Sequence, residues 1–414
     1  MGDLLEPADE KALGAIIAEA AAAGRPLEVS AGRSKAGLGR PVAADARLSL
    51  TRLSGIAYYE PGELVMEAGP ATPLTEIEAA LAENNQQLAF EPPDLGPLYG
   101  AAPGRGTIGG VIACNLAGSR RPFAGAARDH VLGIRAISGR GEAFASGGRV
   151  VKNVTGYDMS KLLAGSYGTL AVLSSVTFKV LPRAETVRTA LLFGQDPAAA
   201  AATMAAAVDG PWDISAAAYL PAAEAARSAV DYVSAAHTAV TALRIEGSRD
   251  GAVVRCQALR AALTASGPGE ELHGARSRTL WAEIASAALL PGGGAGGDMI
   301  WRLSLPPAAG LEAAVEIADA EGGAVVADWA GGLIWLAMAA DGDAESAGRK
   351  AAALRAAVAA HGGHATLVRA AETLRREIPV FETEAPALAA LTRRIKENFD
   401  PRGILNPGRM VEGL

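Results

Sequence analysis

Cysteine is nearly absent from this chain: among 414 residues only Cys114 and Cys256 occur, far apart in sequence. Two thiols exclude a disulfide framework and a cysteine-held iron–sulfur cluster built by this chain alone, and they suit a reducing compartment. Histidine is scarce too, at five residues, and only His361 and His364 stand close together. Two glycines separate that pair, with no cysteine or carboxylate nearby in sequence, so no metal site is expected. Basic blocks are missing and the net charge is −7, which argues against a nucleic-acid partner. No apolar run reaches the roughly 18 residues of a membrane-spanning helix. The alanine-rich run Ala198 to Ala207 is too short and reads as one face of a helix. The N-terminal MGDLLEPADE lacks a cationic region followed by an apolar core, and Glu6 stands where a myristoylation pattern takes Ser or Thr. A cytoplasmic protein is therefore expected.

Glycine, by contrast, is abundant, at 49 residues. A glycine-dense stretch opens with GRGTIGGVIACNLAG (Gly104 to Gly118) and closes with YDMSKLLAGSYGTLAVLSSVTFKVLP (Tyr157 to Pro182). Such loops let backbone N–H groups approach phosphate with no Cβ in the way. A second loop, AGRSKAGLG (Ala31 to Gly39), lies upstream between two strand-like runs. Two phosphate-type loops about 75 residues apart point to one large dinucleotide, which we read as FAD. Gly104, Gly106 and Gly109 do spell G-x-G-x-x-G, with Asp129 downstream. However, the preceding PPDLGPLYGAAP cannot be the buried strand of a Rossmann turn. Gly32 and Gly37 have Walker-loop spacing, but Leu38 and Gly39 replace the required Lys and Ser/Thr. Neither nicotinamide nor ATP fits as well.

Length indicates about two or three domains. Lys11 to Ala23 has helical periodicity, PLEVSAG reads as a strand, and ARLSLTRL and IAYYEPGELVMEAG alternate like strands around a Pro61-Gly62 turn. TPLTEIEAALAENNQ predicts a helix capped by Thr72. HVLGIRAISGRGEAF predicts two strands around Gly139-Arg140-Gly141, followed by a short helix and a strand ended by Pro182. Residues 183 to about 370 alternate alanine-rich helices with short strands (TALRIEG, MIWRLSLP, GLIWLAMA), the pattern of an α+β domain with an antiparallel sheet. PGGGAGG (Pro291 to Gly297) reads as a flexible loop. No internal repeat is visible. The boundaries expected are 1–182 for a cofactor domain, 183–375 for a cap domain that binds substrate or partner, and 376–414 for a tail completing the cofactor site.

Four motifs in this order, AGRSKAGLG, GTIGG, YDMSKLLAGSYGTLAVL and FDPRGILNPGR, resemble the FAD-binding family of vanillyl-alcohol oxidase and D-lactate dehydrogenase type. The resemblance covers residues 1–182 and 376–414. It implies an α+β fold: a PCMH-type FAD-binding domain of two α/β subdomains, an α+β cap with an antiparallel sheet, and a C-terminal tail returning to the FAD domain. It also implies site roles. Backbone amides of Gly32, Arg33, Ser34, Lys35, Ala36, Gly37 and Leu38 would cradle the pyrophosphate. Thr107, Ile108, Gly109 and Gly110 would line the flavin side, with Asn115 and Gly118 just beyond. Gly168 and Val172 would meet the adenosine, and Asn406 would return to the isoalloxazine ring. Tyr167 stands where many relatives have Glu. The Glu-His-Gly segment and His-rich metal motif of relatives that oxidise D-2-hydroxy acids are missing. No flavin-linking His stands in the first loop, so non-covalent FAD is implied.

Within the family, SRRPFAG, WRLSLPP and GGHATLVRA are similar to FAD-binding subunits of bacterial glycolate oxidase complexes. That similarity implies oxidation of glycolate to glyoxylate, with a larger FAD-linked catalytic subunit and an iron–sulfur subunit as partners, and membrane association only peripherally through them. Flavin oxidation of a 2-hydroxy acid takes a cation for the carboxylate and a base near the hydroxyl. The candidates are Arg302, with His364 and Arg369. Lys152 could meet a phosphate or water, Arg120 and Arg121 form a basic patch suited to docking or a solvated turn, and Cys114 reads as a small buried hydrophobe. Two rivals remain: a non-catalytic assembly subunit, and a stand-alone FAD oxidase acting on another alcohol or a lactone.

Overall fold

A computed structural model describes residues 3–150, 156–292, 298–340 and 343–414. Lys152 and most of the PGGGAGG loop lie outside them. The chain forms two compact units, one of residues 1–117, 125–183 and 379–414, the other of residues 118–124 and 184–378.

The first unit holds two main sheets. Strands β1 (Asp3–Leu5), β2 (Leu27–Ser30) and β3 (Ala46–Ser49) form a parallel sheet in the order β1-β3-β2. The helix Glu10–Ala23 belongs with it because Leu13, Ile17 and Ala20 recur at helical spacing and bury one face. Asp9 caps its start by accepting from the Ala12 amide at 2.8 Å, and Gly24 ends it at φ 61°. These side chains pack with Leu27, Leu48, Ile404 and Leu405. The second sheet comprises β4 (Ile56–Glu60), β5 (Val65–Ala68), β7 (Val131–Ser138), β8 (Ala143–Gly147) and β9 (Ala171–Lys179). Its order is β4-β5-β9-β7-β8, antiparallel throughout, over a core of Met66, Phe90, Ile108, Val176 and Phe178. Two short strands, β6 (Gln86–Gln87) and β10 (Leu181–Pro182), pair separately.

One local expectation is corrected. The helix Leu74–Glu83 starts after Pro73, and Thr72 does not cap it. The Thr72 hydroxyl instead bonds to the Gly69 carbonyl at 2.7 Å and to Gly55, fixing the preceding turn.

The second unit is built on one antiparallel eight-stranded sheet. Its strands are β11 (Thr186–Phe193), β12 (Ile214–Leu220), β13 (Val240–Gly247), β14 (Gly269–His273), β15 (Met299–Ser304), β16 (Ala324–Asp328), β17 (Leu333–Met338) and β18 (His364–Arg369). The order β14-β11-β13-β12-β16-β17-β15-β18 falls into two halves. Each half is a β-α-β-β-α-β run with its strands in the order fourth, first, third, second. The helices Pro197–Asp209 and Arg249–Ala262 serve one half, Pro307–Glu321 and Ala344–Ala360 the other. Within the sheet the halves meet at the pair Tyr219 with Ala327, and the helices Pro197–Asp209 and Pro307–Glu321 also pack together. The repeat invisible in the sequence is thus present as topology. Alanine-rich helices hide it: in Pro197–Asp209 the buried face is Ala200, Thr203, Met204 and Ala207, too uniform to leave a recognisable signature.

Candidate cofactor-binding cleft

Strand β2 runs into the loop Ala31 to Gly39. Two turns shape this loop, with Ala36 donating to the Arg33 carbonyl at 3.3 Å and Leu38 to that of Lys35 at 3.0 Å. The N–H groups of Gly32, Arg33, Ser34 and Lys35 donate to no protein acceptor among the described residues. Such a run suits an anion, because N–H groups without protein acceptors need one from water or ligand. Glycine at 32 is required by close approach: a Cβ there would lie 2.4 Å from the Arg105 carbonyl oxygen.

The second glycine loop works differently from the expectation. Ile108 donates to the Thr72 carbonyl at 3.1 Å, Gly109 to that of Pro70 at 2.9 Å, and Gly110 to the Thr107 hydroxyl at 3.4 Å. The amides of Ile108, Gly109 and Gly110 are thus spent on protein, and this stretch serves as a wall. A Cβ on Gly109 would sit 2.6 Å from that of Pro70, which explains the glycine there by packing.

Both loops line one cleft of about 940 Å³, its open mouth included. The structure brings Gly32, Arg33, Ser34, Lys35, Ala36, Leu38, Thr107, Gly109, Gly110, Gly168, Val172 and Asn406 to its wall. Four sequence candidates lie elsewhere. Gly37 packs against the Tyr99 ring, and Ile108 is fully buried in the core. Asn115 ends the helix Ile108–Cys114 at φ 48°, its side-chain oxygen accepting from the Arg128 amide at 2.9 Å. Gly118 belongs to the second unit, where its carbonyl accepts from the Trp329 indole at 3.0 Å.

Asn406 has a structural task. Its side-chain oxygen accepts from the Val29 amide at 2.8 Å, and its nitrogen donates to the carbonyls of Tyr167 and Gly168 at 2.9 and 3.4 Å. The amide thereby joins β2, the 167–168 turn and the tail. The tail is itself anchored. Lys396 bonds Asp400 at 2.7 Å and the Thr169 carbonyl at 2.7 Å, and Leu27 donates to the Ile404 carbonyl at 2.8 Å.

Residues not singled out for this site also line it, above all Tyr167, Cys114 and Arg409. Tyr167 sits at φ 55°, with its ring edge-on to Phe381 at 5.1 Å. Cys114 is half-buried; burial pushes its thiol up, against the pull of Lys35 and Arg409. The tail motif FDPRGILNPGR contains Arg409 and was the available signal. In the second unit, Arg302 lies between His364 and Arg369 on the β15–β18 ladder. Its row pairs with Thr366, while Ser304 pairs with His364 and Ile300 with Arg369. His364 is exposed and Arg369 buried. Among the described residues no group of His, Cys, Asp or Glu could hold a metal, and no helix is long and apolar enough to cross a membrane.

Residues 4–147 match the family described as FAD binding domain, and residues 333–410 match FAD linked oxidases, C-terminal domain. Glycolate oxidase subunit GlcE of Escherichia coli (strain K12) is 36% identical, over 94% of this chain and 93% of its own. The chain belongs to the FAD-linked oxidase family. Glycolate oxidase subunit GlcD of Bacillus subtilis (strain 168) is 38% identical over 24% of this chain and 21% of its own. The fold is that of p-cresol methylhydroxylase, solved with substrate bound (TM-score 0.73, 13% identity, 99% of this chain and 88% of the other). Membership makes this chain an oxidoreductase with FAD as its cofactor, and the free amides of Gly32 to Lys35 and the glycine-lined walls fit that group.

Proposed function

We propose that this chain is the FAD-binding subunit of a glycolate oxidase complex, oxidising glycolate to glyoxylate and passing the electrons to partner subunits. The observation that carries the reading is the near end-to-end similarity to GlcE. The pyrophosphate is assigned to Gly32 to Lys35, and the flavin and adenosine sides to Thr107, Gly109 and Gly110 and to Gly168 and Val172. FAD, when bound, supplies the acceptor for the hydride leaving the hydroxyl-bearing carbon. Arg302 is assigned to the substrate carboxylate. Its guanidinium lies 5.0 Å from the centre of the Trp329 ring and that of Arg121 lies 4.5 Å from the same ring, so two positive charges share one indole. Trp335, opposite Arg302 in the ladder, has a buried indole N–H without a protein acceptor among the described residues, a donor suited to an acid or hydroxyl oxygen. His364 is the base assigned to the hydroxyl proton, and Arg369 a second cation.

The partners are a larger FAD-linked subunit, of the kind GlcD exemplifies, and an iron–sulfur subunit. The location is cytoplasmic, at the inner face of the membrane through those partners. Anaerobic titration of the flavin-loaded chain with glycolate tests the reading: the visible flavin band is expected to bleach. A band that stays oxidised overturns turnover by this chain. The exposure of His364 favours a second reading, a flavin-bearing assembly subunit whose partner performs the chemistry. Its sign is complex activity that disappears without this chain and is absent from the chain alone.

A further inference from the structure

The cleft carries a charge that its loop geometry alone does not require. Three basic side chains line it, Arg33, Lys35 and Arg409, against one acidic, Glu28, leaving two positive charges (three less one) in a protein of net charge −7. Glu28 is already matched, its carboxylate held by the Arg33 guanidinium at 3.0 Å. The surplus is therefore Lys35 and Arg409, and neither pairs with a carboxylate among the described residues. The Lys35 ammonium donates to the Ser34 hydroxyl at 3.2 Å, which leaves two of its three N–H groups. Asp94 is the carboxylate closest in influence to it, but Asp94 accepts from the amides of Gly96 and Gly104 at 3.0 and 2.7 Å. Arg409 reaches across from the C-terminal tail. Its guanidinium is fixed by the carbonyls of Ala36 and Arg40 at 3.3 and 3.4 Å, on the same loop that carries Lys35. Glu28, Arg33, Tyr167 and Cys114 are the titratable groups facing Arg409, and Cys114 faces Lys35 as well.

Resting on the FAD reading above, we infer that Lys35 and Arg409, one from each end of the chain, form a cation pair that neutralises the two charges of the FAD diphosphate and makes the cleft select a dinucleotide over a phosphate-free flavin. Two partly buried cations without counter-charges are costly, and a diphosphate between them offsets that cost. Burial pulls both groups below their ordinary values, the direction expected of cations kept from water until an anion arrives. The tail is thereby part of the phosphate site as well as a wall.

The test uses the full chain freed of flavin and titrated with FAD, ADP and riboflavin, read by flavin fluorescence and, for ADP, by calorimetry. Lys35→Met and Arg409→Met are each expected to weaken FAD and ADP by about 10- to 100-fold, the worth of a charge-assisted hydrogen bond. Riboflavin binding is expected to stay within a factor of about two, well under one such bond. Lys35→Arg should recover most of the FAD affinity, and the salt dependence of FAD binding should flatten in both Met variants. Equal loss of FAD and riboflavin affinity, or no loss of FAD affinity, overturns the inference. If the unaltered chain binds neither FAD nor ADP, the FAD reading itself fails. Thermal unfolding of each flavin-free variant separates a folding defect from a binding one.

Discussion

At the scale of single residues, the cleft depends on positions where nothing larger or differently bonded fits. Gly32 has an ordinary backbone conformation, so its requirement is steric: a methyl group would lie 2.4 Å from the Arg105 carbonyl oxygen. Gly32→Ala must displace backbone on one side, and the expected result is a loss of about 1–3 kcal/mol in urea unfolding, with sub-stoichiometric flavin after purification. Asn406 fails differently. Its side chain joins three chain segments, and its φ of 44° is one that asparagine tolerates better than most residues. Asn406→Ala leaves the Val29 amide and the Tyr167 carbonyl without their partner, and should cost about 1–3 kcal/mol per group left buried and unsatisfied. Dialysis should strip flavin from this variant faster than from the unaltered chain, although its amide is assigned no contact with the cofactor.

At the scale of elements, the segment Gly118 to Ala124 shows how a surface-like sequence becomes a clamp. Its SRRP pattern suggested either docking or a solvated turn. In the structure Ser119 donates to Asp328 at 2.7 Å, and Arg120 grips Glu246 through two bonds of 2.8 and 2.5 Å. Sequence reading could not choose because the partners lie more than a hundred residues away. Burial pushes the Glu246 carboxyl up, but Arg244 and Arg120 outweigh it, so its pKa is lowered overall. A carboxyl depressed in the folded state stabilises above its unfolded value of about 4.3, and that contribution is lost as pH falls through the folded value. Urea midpoints of the unaltered chain should therefore drop on acidification below about pH 4, and those of Glu246→Gln less so. Arg120→Met and Glu246→Gln should each cost about 3–5 kcal/mol near neutral pH, because each leaves a buried charge behind. The double variant should fall short of the sum by about 1–3 kcal/mol; strict additivity would show that the clamp is not a unit.

At the scale of the whole molecule, the class of fold and the cofactor were legible because they are carried by local signals: glycine loops, strand alternation and a turn-rich tail. What was not legible depends on long-range pairing. The doubled topology of the second unit emerges only from strand order, and the spending of the Gly109 and Gly110 amides only from where Pro70 and Thr107 fold back. Arg409 lay within view in the tail, but its place beside Ala36 could not be read from a sequence separation of 373 residues. The same long reach yields a test. The cleft wall is drawn from residues around 28–38, 107–114, 163–173 and 406–409, so a bound dinucleotide ties together segments from both ends of the chain. In hydrogen exchange, adding FAD to the flavin-free chain should slow all four segments together, with the largest effect at Gly32 to Lys35, whose N–H groups then gain acceptors. Strands β11 to β14 contribute nothing to that wall and should exchange at an unchanged rate. Protection confined to the second glycine loop, with Gly32 to Lys35 unaffected, would overturn the assignment of the first loop as the anion cradle.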